Sequence, residues 1–239
     1  PRESVGYVNL TLRALARFGV VPAPEESGWR MAPQPYHGPN RVQVEGDWSN
    51  AAPWLCLGAL GGESVTVKGM DPASLQGDKA VCDVLAQMGA RLHITGDRVT
   101  AFHGPLRPTQ IDARDIPDLV PVLAAVAAAI PGTTTITGAA RLRLKESDRL
   151  ATTAHTLRAL GAQVEEREDG LVIQGRYPLR GGTVDAAGDH RIAMAAAVAA
   201  GACEAPVTIT GAQAVDKSYP AFWRDLAALG KGVEGADAP

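Results

Sequence analysis

The sequence predicts an α/β chain assembled from repeated strand–helix units. Three observations carry that prediction. A helix-closing motif recurs after about seventy residues, a strand-bearing motif interleaves with it, and apolar residues switch along the chain between helical and strand periods.

The first motif is a helical run closed by a small turn. It reads Ala14 to Val20, Val84 to Ala90 and Thr156 to Ala162, with Gly19, Gly89 and Gly161 spaced by 70 and 72 residues. Apolar residues at helical spacing precede each glycine. The glycine suits the position just past a helix, where the backbone turns left-handed and a side chain is strained. After the second and third copies, Arg91 to Thr100 and Val164 to Ile173 alternate around a charged turn containing glycine, and read as β-hairpins.

The second motif opens on an aspartate, runs through an Ala/Leu/Val-rich helix and ends in a β-branched strand closed by glycine. Its copies span Asp47 to Gly69, Asp115 to Gly138 and Asp189 to Gly211, with strands from Ser64, Thr133 and Val207. Helices so rich in Ala and Leu are expected to be buried on most sides. Together the motifs give a unit of strand, helix, strand, helix and hairpin. The chain holds a half unit (about 1–43), two whole units (about 44–110 and 111–180) and a final half (about 181–230). Residues 231–239 are small and polar and are expected to form a flexible tail. The chain starts on Pro1 and begins and ends in mid-unit, so it is expected to be part of a longer protein.

Composition narrows the function. The 239 residues are 46% apolar with a net charge of −3, enough for one large domain or two small ones and without the overall field that draws nucleic acid or an acidic membrane. Cys56, Cys82 and Cys203 are odd in number, scattered in apolar helical patterns and without a CxxC spacing. That excludes a disulfide framework or a zinc site and points to buried thiols. No apolar run reaches membrane-spanning length and no signal-peptide pattern is present, so the expected location is the cytoplasm.

The run Arg141-Leu-Arg-Leu-Lys145-Glu146-Ser147-Asp148-Arg149 follows a strand and opens a helix. Glu146 and Asp148 suit a helix start, whereas Lys145 and Arg149 face the positive end of the dipole. They are four apart and are expected to share a helix face. Either this is a solvated charged turn, or a bound anion offsets the two cations, as helix N-termini and cations bind phosphate together. One unit later, Gly188-Asp189-His190-Arg191 repeats the pattern. Asp189 reads as an N-cap, Arg191 lies again in the first turn, and His190 suits a surface or capping role as well as a catalytic one. Lys217 follows a strand and turn, where solvation is the plain reading. At Ile116-Pro117-Asp118, Asp115 or Asp118 is expected to cap the helix, which leaves the other free. Ser4 and Tyr7 precede or open a helix and suit phosphate binding or simple packing. Corresponding ends of stacked units tend to be neighbours, so Lys145, Arg149, Arg191 and Lys217 are expected to gather positive charge on one face, with Asp118 and Glu146 beside it.

The run Arg143 to Leu150, continuing to Leu160-Gly161-Ala162, resembles the signature of the 5-enolpyruvylshikimate-3-phosphate synthases. The segments Ser4 to Tyr7, Glu45-Gly46-Asp47, Gln76-Gly77-Asp78, Ile116-Pro117-Asp118, Asp189-His190-Arg191 and Lys217 with Tyr219-Pro220 resemble the same family in order and spacing. The likeness is to the C-terminal part of that family's chain and extends to about Leu229. It implies two similar domains of βαβαββ units in an inside-out α/β barrel, with residues 1–45 ending the upper domain and 46–230 forming most of the lower. It implies transfer of the enolpyruvyl group of phosphoenolpyruvate to the 5-hydroxyl of shikimate 3-phosphate, releasing phosphate, with no metal or organic cofactor. By that resemblance Asp118 is the base and Glu146 the proton-transferring acid. Arg149, Arg191 and Lys217 clamp phosphoenolpyruvate, with Asp189 and His190 in support. Ser4, Tyr7, Asp118, Arg141 and Lys145 contact shikimate 3-phosphate. Many members carry Asn where Arg141 stands. The partners implied are the two substrates and the N-terminal part of the same protein, with no nucleic acid or membrane, and a monomer when complete.

Two alternatives compete. UDP-N-acetylglucosamine enolpyruvyltransferases share the fold and the phosphoenolpyruvate chemistry, but lack the Lys-Glu-Ser-Asp-Arg run and use a loop cysteine that none of Cys56, Cys82 and Cys203 matches. A non-catalytic piece or weak binding module is the alternative of a different class, because the family's site lies between its domains.

Overall fold

A computed structural model describes residues 5–230 and 232–234. The predicted alternation is present. Helix α1 (Val5–Arg17) leads to a two-stranded hairpin of β1 (Ala23–Glu25) and β2 (Gly28–Arg30). The first larger unit holds α2 (Trp48–Leu60), β3 (Val65–Lys68), α3 (Val81–Gln87), β4 (Arg91–Thr95) and β5 (Arg98–Phe102). The second holds β6 (Gln110–Asp112), α4 (Val120–Ala128), β7 (Gly132–Thr137), α5 (Arg149–Ala159), β8 (Gln163–Arg167) and β9 (Gly170–Gly175). The last comprises β10 (Gly182–Asp185), α6 (His190–Ala200), β11 (Val207–Thr210) and α7 (Phe222–Ala228).

Sheet order exposes the repeat. In the second unit it is β6-β7-β9-β8, with β6 parallel to β7 and the β8–β9 hairpin antiparallel. In the first it is β3-β5-β4, the same arrangement without the leading strand, and β10 and β11 repeat the parallel pair alone. The missing strand departs from the expected unit. Gly46 N–H still donates to Gly69 O at 2.9 Å, as Ala113 does to Thr137 O at 2.8 Å and Ala186 to Thr210 O at 2.9 Å. Upstream of Gly46 the chain leaves the β3 edge, and Val44 is exposed. Pro33, Pro35 and Pro39 lie in that approach and bring no N–H for a ladder. Gly46 is required by closeness: a Cβ there would meet Gly69 O at 2.7 Å and Met70 Sδ at 2.8 Å.

Helices α2, α4 and α6 pack on one another at the centre. Their contact faces are alanine: Ala51, Ala52 and Ala59, Ala124, Ala125 and Ala128, Ala193 and Ala196 are all buried. Small side chains let the axes approach closely, and α4 is buried along its whole length. The sheets and the outer helices α3 and α5 cover this core. The predicted left-handed closures hold, with φ of +73° at Gly19, +99° at Gly89 and +97° at Gly161. Cys56 and Cys82 are buried in α2 and α3. Cys203 corrects the expectation of a helical thiol: it lies past the end of α6, half-buried, in an isolated bridge with Leu179. No helix among the described residues is long and apolar enough to cross a membrane. The proposed tail falls outside the described residues except for 232–234.

Candidate active site

The three central helices start on one side of the molecule, and the candidate residues meet there. Asp47 caps α2, accepting from Ser49 N–H at 2.8 Å, and Asp189 caps α6, accepting from Arg191 N–H at 2.9 Å. Arg191 Nη1 donates to Ser49 O at 3.1 Å, which ties the start of α6 to the start of α2. Helix α4 is entered differently, through a 3₁₀ turn over Pro117–Leu119 with no side-chain cap. Neither Asp115 nor Asp118 caps it, contrary to expectation. Pro117 at the turn's first position has no N–H to satisfy, and Asp118 is free for other partners.

The signature run lies over these helix starts. Residues Ala140–Leu144 form a 3₁₀ turn, and α5 begins only at Arg149 with Asp148 as its N-cap. Lys145 therefore precedes the helix, and the expected shared face with Arg149 does not exist. Arg143 pins the run in place. Its Nη1 reaches Asp148 at 2.9 Å and Glu166 at 2.8 Å, and its Nη2 and Nε donate to backbone carbonyls of Arg167 and Glu168 in the β8–β9 hairpin.

Arg149 is the hub. It is 2% exposed and bonds three carboxylates: Asp189 through Nε (2.7 Å) and Nη2 (3.1 Å), Glu146 through Nη2 (2.7 Å) and Asp118 through Nη1 (2.8 Å). Lys145 Nζ lies 3.2 Å from Asp118 Oδ1, and Lys217 Nζ donates to Glu146 Oε1 at 2.6 Å. The cations do converge, but three of the four are paired with carboxylates. Lys145, Arg149 and Lys217 are matched by Asp118, Glu146 and Asp189, so the charges of the signature run need no bound anion to explain them. Arg191 is the cation with capacity in hand, since its Nε is buried and has no partner among the described residues.

Electrostatics follow from this pairing. Lys217's hydrogen bond, against the cost of burial, holds the Glu146 carboxyl down at about 2. Burial pushes the Asp118 carboxyl up, but Arg191, Lys145 and Arg149 outweigh it and the net shift is downward. Burial, with Arg191 beside it, pushes His190 down, so its buried ring is neutral. Asp78 shifts upward through burial, opposed by a short hydrogen bond from Ser49 Oγ and by Arg191.

Tyr7, Asp118, Arg141 and Lys145 line one cavity of about 260 Å³ together with Gly77, Arg114 and Asp115. Ser4 lies outside the described residues. Tyr7 is 52% exposed on α1, which brings a side chain from the first half unit to this cavity. A larger cavity of about 340 Å³, lined by Leu57, Val207, Ile209 and Trp223 among others, lies away from these groups, and its mostly apolar lining offers no acid–base pair among the described residues. Sequence reasoning missed Arg114, which pairs with Asp112 at 2.9–3.0 Å on the cavity rim, and the buried Ser49–Asp78 contact. A lone Arg after a strand gave no signal for the first. For the second, the fold alone brings residues 49 and 78 together.

A family model described as EPSP synthase (3-phosphoshikimate 1-carboxyvinyltransferase) matches residues 3–226. The chain belongs to the EPSP synthase family. Curated relatives called 3-phosphoshikimate 1-carboxyvinyltransferase include one from Clostridium acetobutylicum, 46% identical over 97% of this chain and 54% of its own length, and one from Methanocorpusculum labreanum, 39% identical over 96% of this chain and 54% of its own. The fold is similar to the EPSP synthase of Acinetobacter baumannii, with a TM-score of 0.80 at 29% identity over 95% of this chain and 55% of that one. It is also similar to the enolpyruvyl transferase NikO from Streptomyces tendae, with a TM-score of 0.79 at 25% identity over 97% and 55%. The chain spans about half the length of the relatives it matches. These likenesses bear out the α/β enolpyruvyltransferase fold.

For this family member the Glu146 pairing sets a pH dependence of stability. A carboxyl held below its unfolded value stabilises the fold above about pH 4.5, and that contribution fades as pH falls toward about 2. Urea midpoints of wild type should therefore fall more steeply between pH 5 and 2.5, on the order of the unfolded and folded values, than those of Glu146→Gln. Parallel curves would show that the Lys217 pairing contributes nothing.

Proposed function

We propose that this chain supplies one half-site of an enzyme that transfers the enolpyruvyl group of phosphoenolpyruvate to the 5-hydroxyl of shikimate 3-phosphate, releasing phosphate. The observation that carries the reading is the pair of carboxylates on one guanidinium, Asp118 flanked by Lys145 and Glu146 flanked by Lys217. The reaction needs a base on the attacking hydroxyl, an acid at the methylene carbon and cations on the phosphates. Asp118, ionised in the free site, accepts the hydroxyl proton. Glu146 is ionised too and cannot donate while Lys217 holds it. When the substrate phosphate draws Lys217 away, Glu146 can take up a proton and pass it to carbon 3. The hydroxyl oxygen bonds to carbon 2; the tetrahedral intermediate then breaks its bond to the phosphate oxygen as Glu146 recovers a proton from carbon 3, and the proton held by Asp118 leaves with the phosphate.

Arg191, with its open Nε, and Lys217 are the contacts proposed for phosphoenolpyruvate. Arg149 can offer that anion only the one N–H that its carboxylates leave. Ser4, Tyr7, Asp118, Arg141 and Lys145 are proposed for shikimate 3-phosphate, with Arg114 closing the rim. With the reading go a cytoplasmic location, and a monomer once both halves are present.

Because the chain spans half of its relatives, a non-catalytic half-site is the second reading. Phosphate release measured with and without the remaining half of a family member separates the two. The chain alone should give little or no turnover, since losing half of a charged clamp costs several kcal/mol of transition-state stabilisation, and the added half should restore it. Full turnover by the chain alone would contradict the half-site. No turnover from two folded, associated halves would contradict the enzyme.

A further inference from the structure

Helix α1 reaches the cavity from outside the core. None of its side chains from Gly6 to Arg17 is buried, so no buried apolar contact fixes its place against the first larger unit. A polar tether stands in for one. Arg13 Nη1 donates to Ala73 O at 3.2 Å, and its Nη2 lies 3.7 Å from Asp71 Oδ2. Gly6 is seven residues earlier and shares that helix face. It lies over the same loop, where a Cβ on Gly6 would stand 3.6 Å from Leu75 O. Two turns of α1 thus run along the loop from Asp71 to Gly77, and Gly77 lines the cavity beside Tyr7. We propose that Arg13 is a positioning residue that anchors α1 on the Asp71–Ala73 turn and so holds Tyr7 over the cavity. Tyr7's contact with shikimate 3-phosphate rests on the reaction proposed above; the anchor does not.

The loop that receives Arg13 is well held. Asp71 Oδ1 accepts from Ala73 N–H at 2.8 Å, and Asp71 O from Ser74 N–H at 3.0 Å. The buried Ser74 accepts from Gln76 N–H through Oγ at 3.1 Å, and Lys79 Nζ donates to Pro72 O at 3.0 Å. Gln76 ties the loop to the start of α2, accepting from Trp48 N–H and donating to Gly46 O, both at 2.9 Å. Arg13 therefore bonds a turn whose own place is fixed by α2. A planar guanidinium that meets a carbonyl and a carboxylate at once fixes direction as well as distance. Arg13 and Asp71 are partly exposed, so the tether contributes little to folding. Its effect is on where Tyr7 sits. Burial, then the charges of Asp78 and Asp118, push the Tyr7 phenol up, so its titration reports whether the ring is in place.

In this chain, carbon NMR of ring-labelled tyrosine should show Tyr7 titrating above the ordinary phenol value of about 10, and Arg13→Ala should bring it down toward that value. Loss of a positive charge would by itself push the phenol up, so the sign separates release of α1 from a direct charge effect. Arg17→Ala removes the same charge from the same helix, but its bond goes to Gln43 O in the connecting segment, and Tyr7 should stay unmoved. An unmoved or raised Tyr7 titration in Arg13→Ala, or an equal fall in Arg17→Ala, would overturn the anchor whatever the reaction. With the two halves combined, Arg13→Ala should raise KM for shikimate 3-phosphate roughly three- to ten-fold, with kcat and KM for phosphoenolpyruvate little changed. A fall in kcat at unmoved KM would place the effect outside substrate seating and defeat the positioning role. A lowered titration with every kinetic constant unmoved would uphold the anchor and defeat Tyr7 as a substrate contact.

Discussion

Glu146→Gln is expected to lower the turnover of the two-half enzyme by about 10²- to 10⁴-fold, the range for removal of one general acid–base group. That corresponds to roughly 3–5 kcal/mol of transition-state stabilisation. Substrate binding should survive, for a specific reason. Glu146 Oε1 occupies Lys217 in the free site, so its neutral replacement frees a cation for the incoming phosphate. Calorimetric affinity for phosphoenolpyruvate in the presence of shikimate 3-phosphate should therefore hold or tighten while single-turnover rates collapse. An equal loss of binding and rate would make Glu146 a structural member of the ion network and not the acid.

The second large effect is on stability. Asp189→Ala is expected to cost about 3–5 kcal/mol, the range for breaking a buried ion pair and leaving its partner charged. Asp189 is fully buried, makes two of the contacts that hold Arg149, accepts from Ser147 and caps α6. Its removal strands a guanidinium that is itself 2% exposed and uncaps a central helix. Domains of this size are stable by only about 5–15 kcal/mol, so the loss is a large share of the total. Urea unfolding at neutral pH with an unchanged slope would measure it. A loss below about 1 kcal/mol would mean that the network is too solvated to matter. The cap alone accounts for about that much.

Local features were readable in the sequence because local physics governs them. Left-handed closures at Gly89 and Gly161 follow from short-range sterics, and the cap at Asp189 depends only on a residue two positions away. The alanine patterns of α4 and α6 announced burial without reference to a partner. Reading failed where the answer depended on what lies across the fold. Lys145 and Arg149 looked like cations in need of an anion because their nearest acids in sequence were counted as helix-start residues. Asp118 and Asp189, 31 and 40 residues from Arg149, were not visible as their partners.

The sequence by itself determined the α/β repeat and the identity of most of the residues gathered at the helix starts. Spacing and element-end chemistry are properties of the chain. Only the tertiary structure decided the charge state of that gathering. Packing α4 and α6 through alanine faces, with the loop before α5 beside their starts, lets one arginine bind three carboxylates. Coulomb pairing at under 3 Å outweighs the dipole argument that a single helix start allows. The same packing buries Arg149 among Asp118, Glu146 and Asp189.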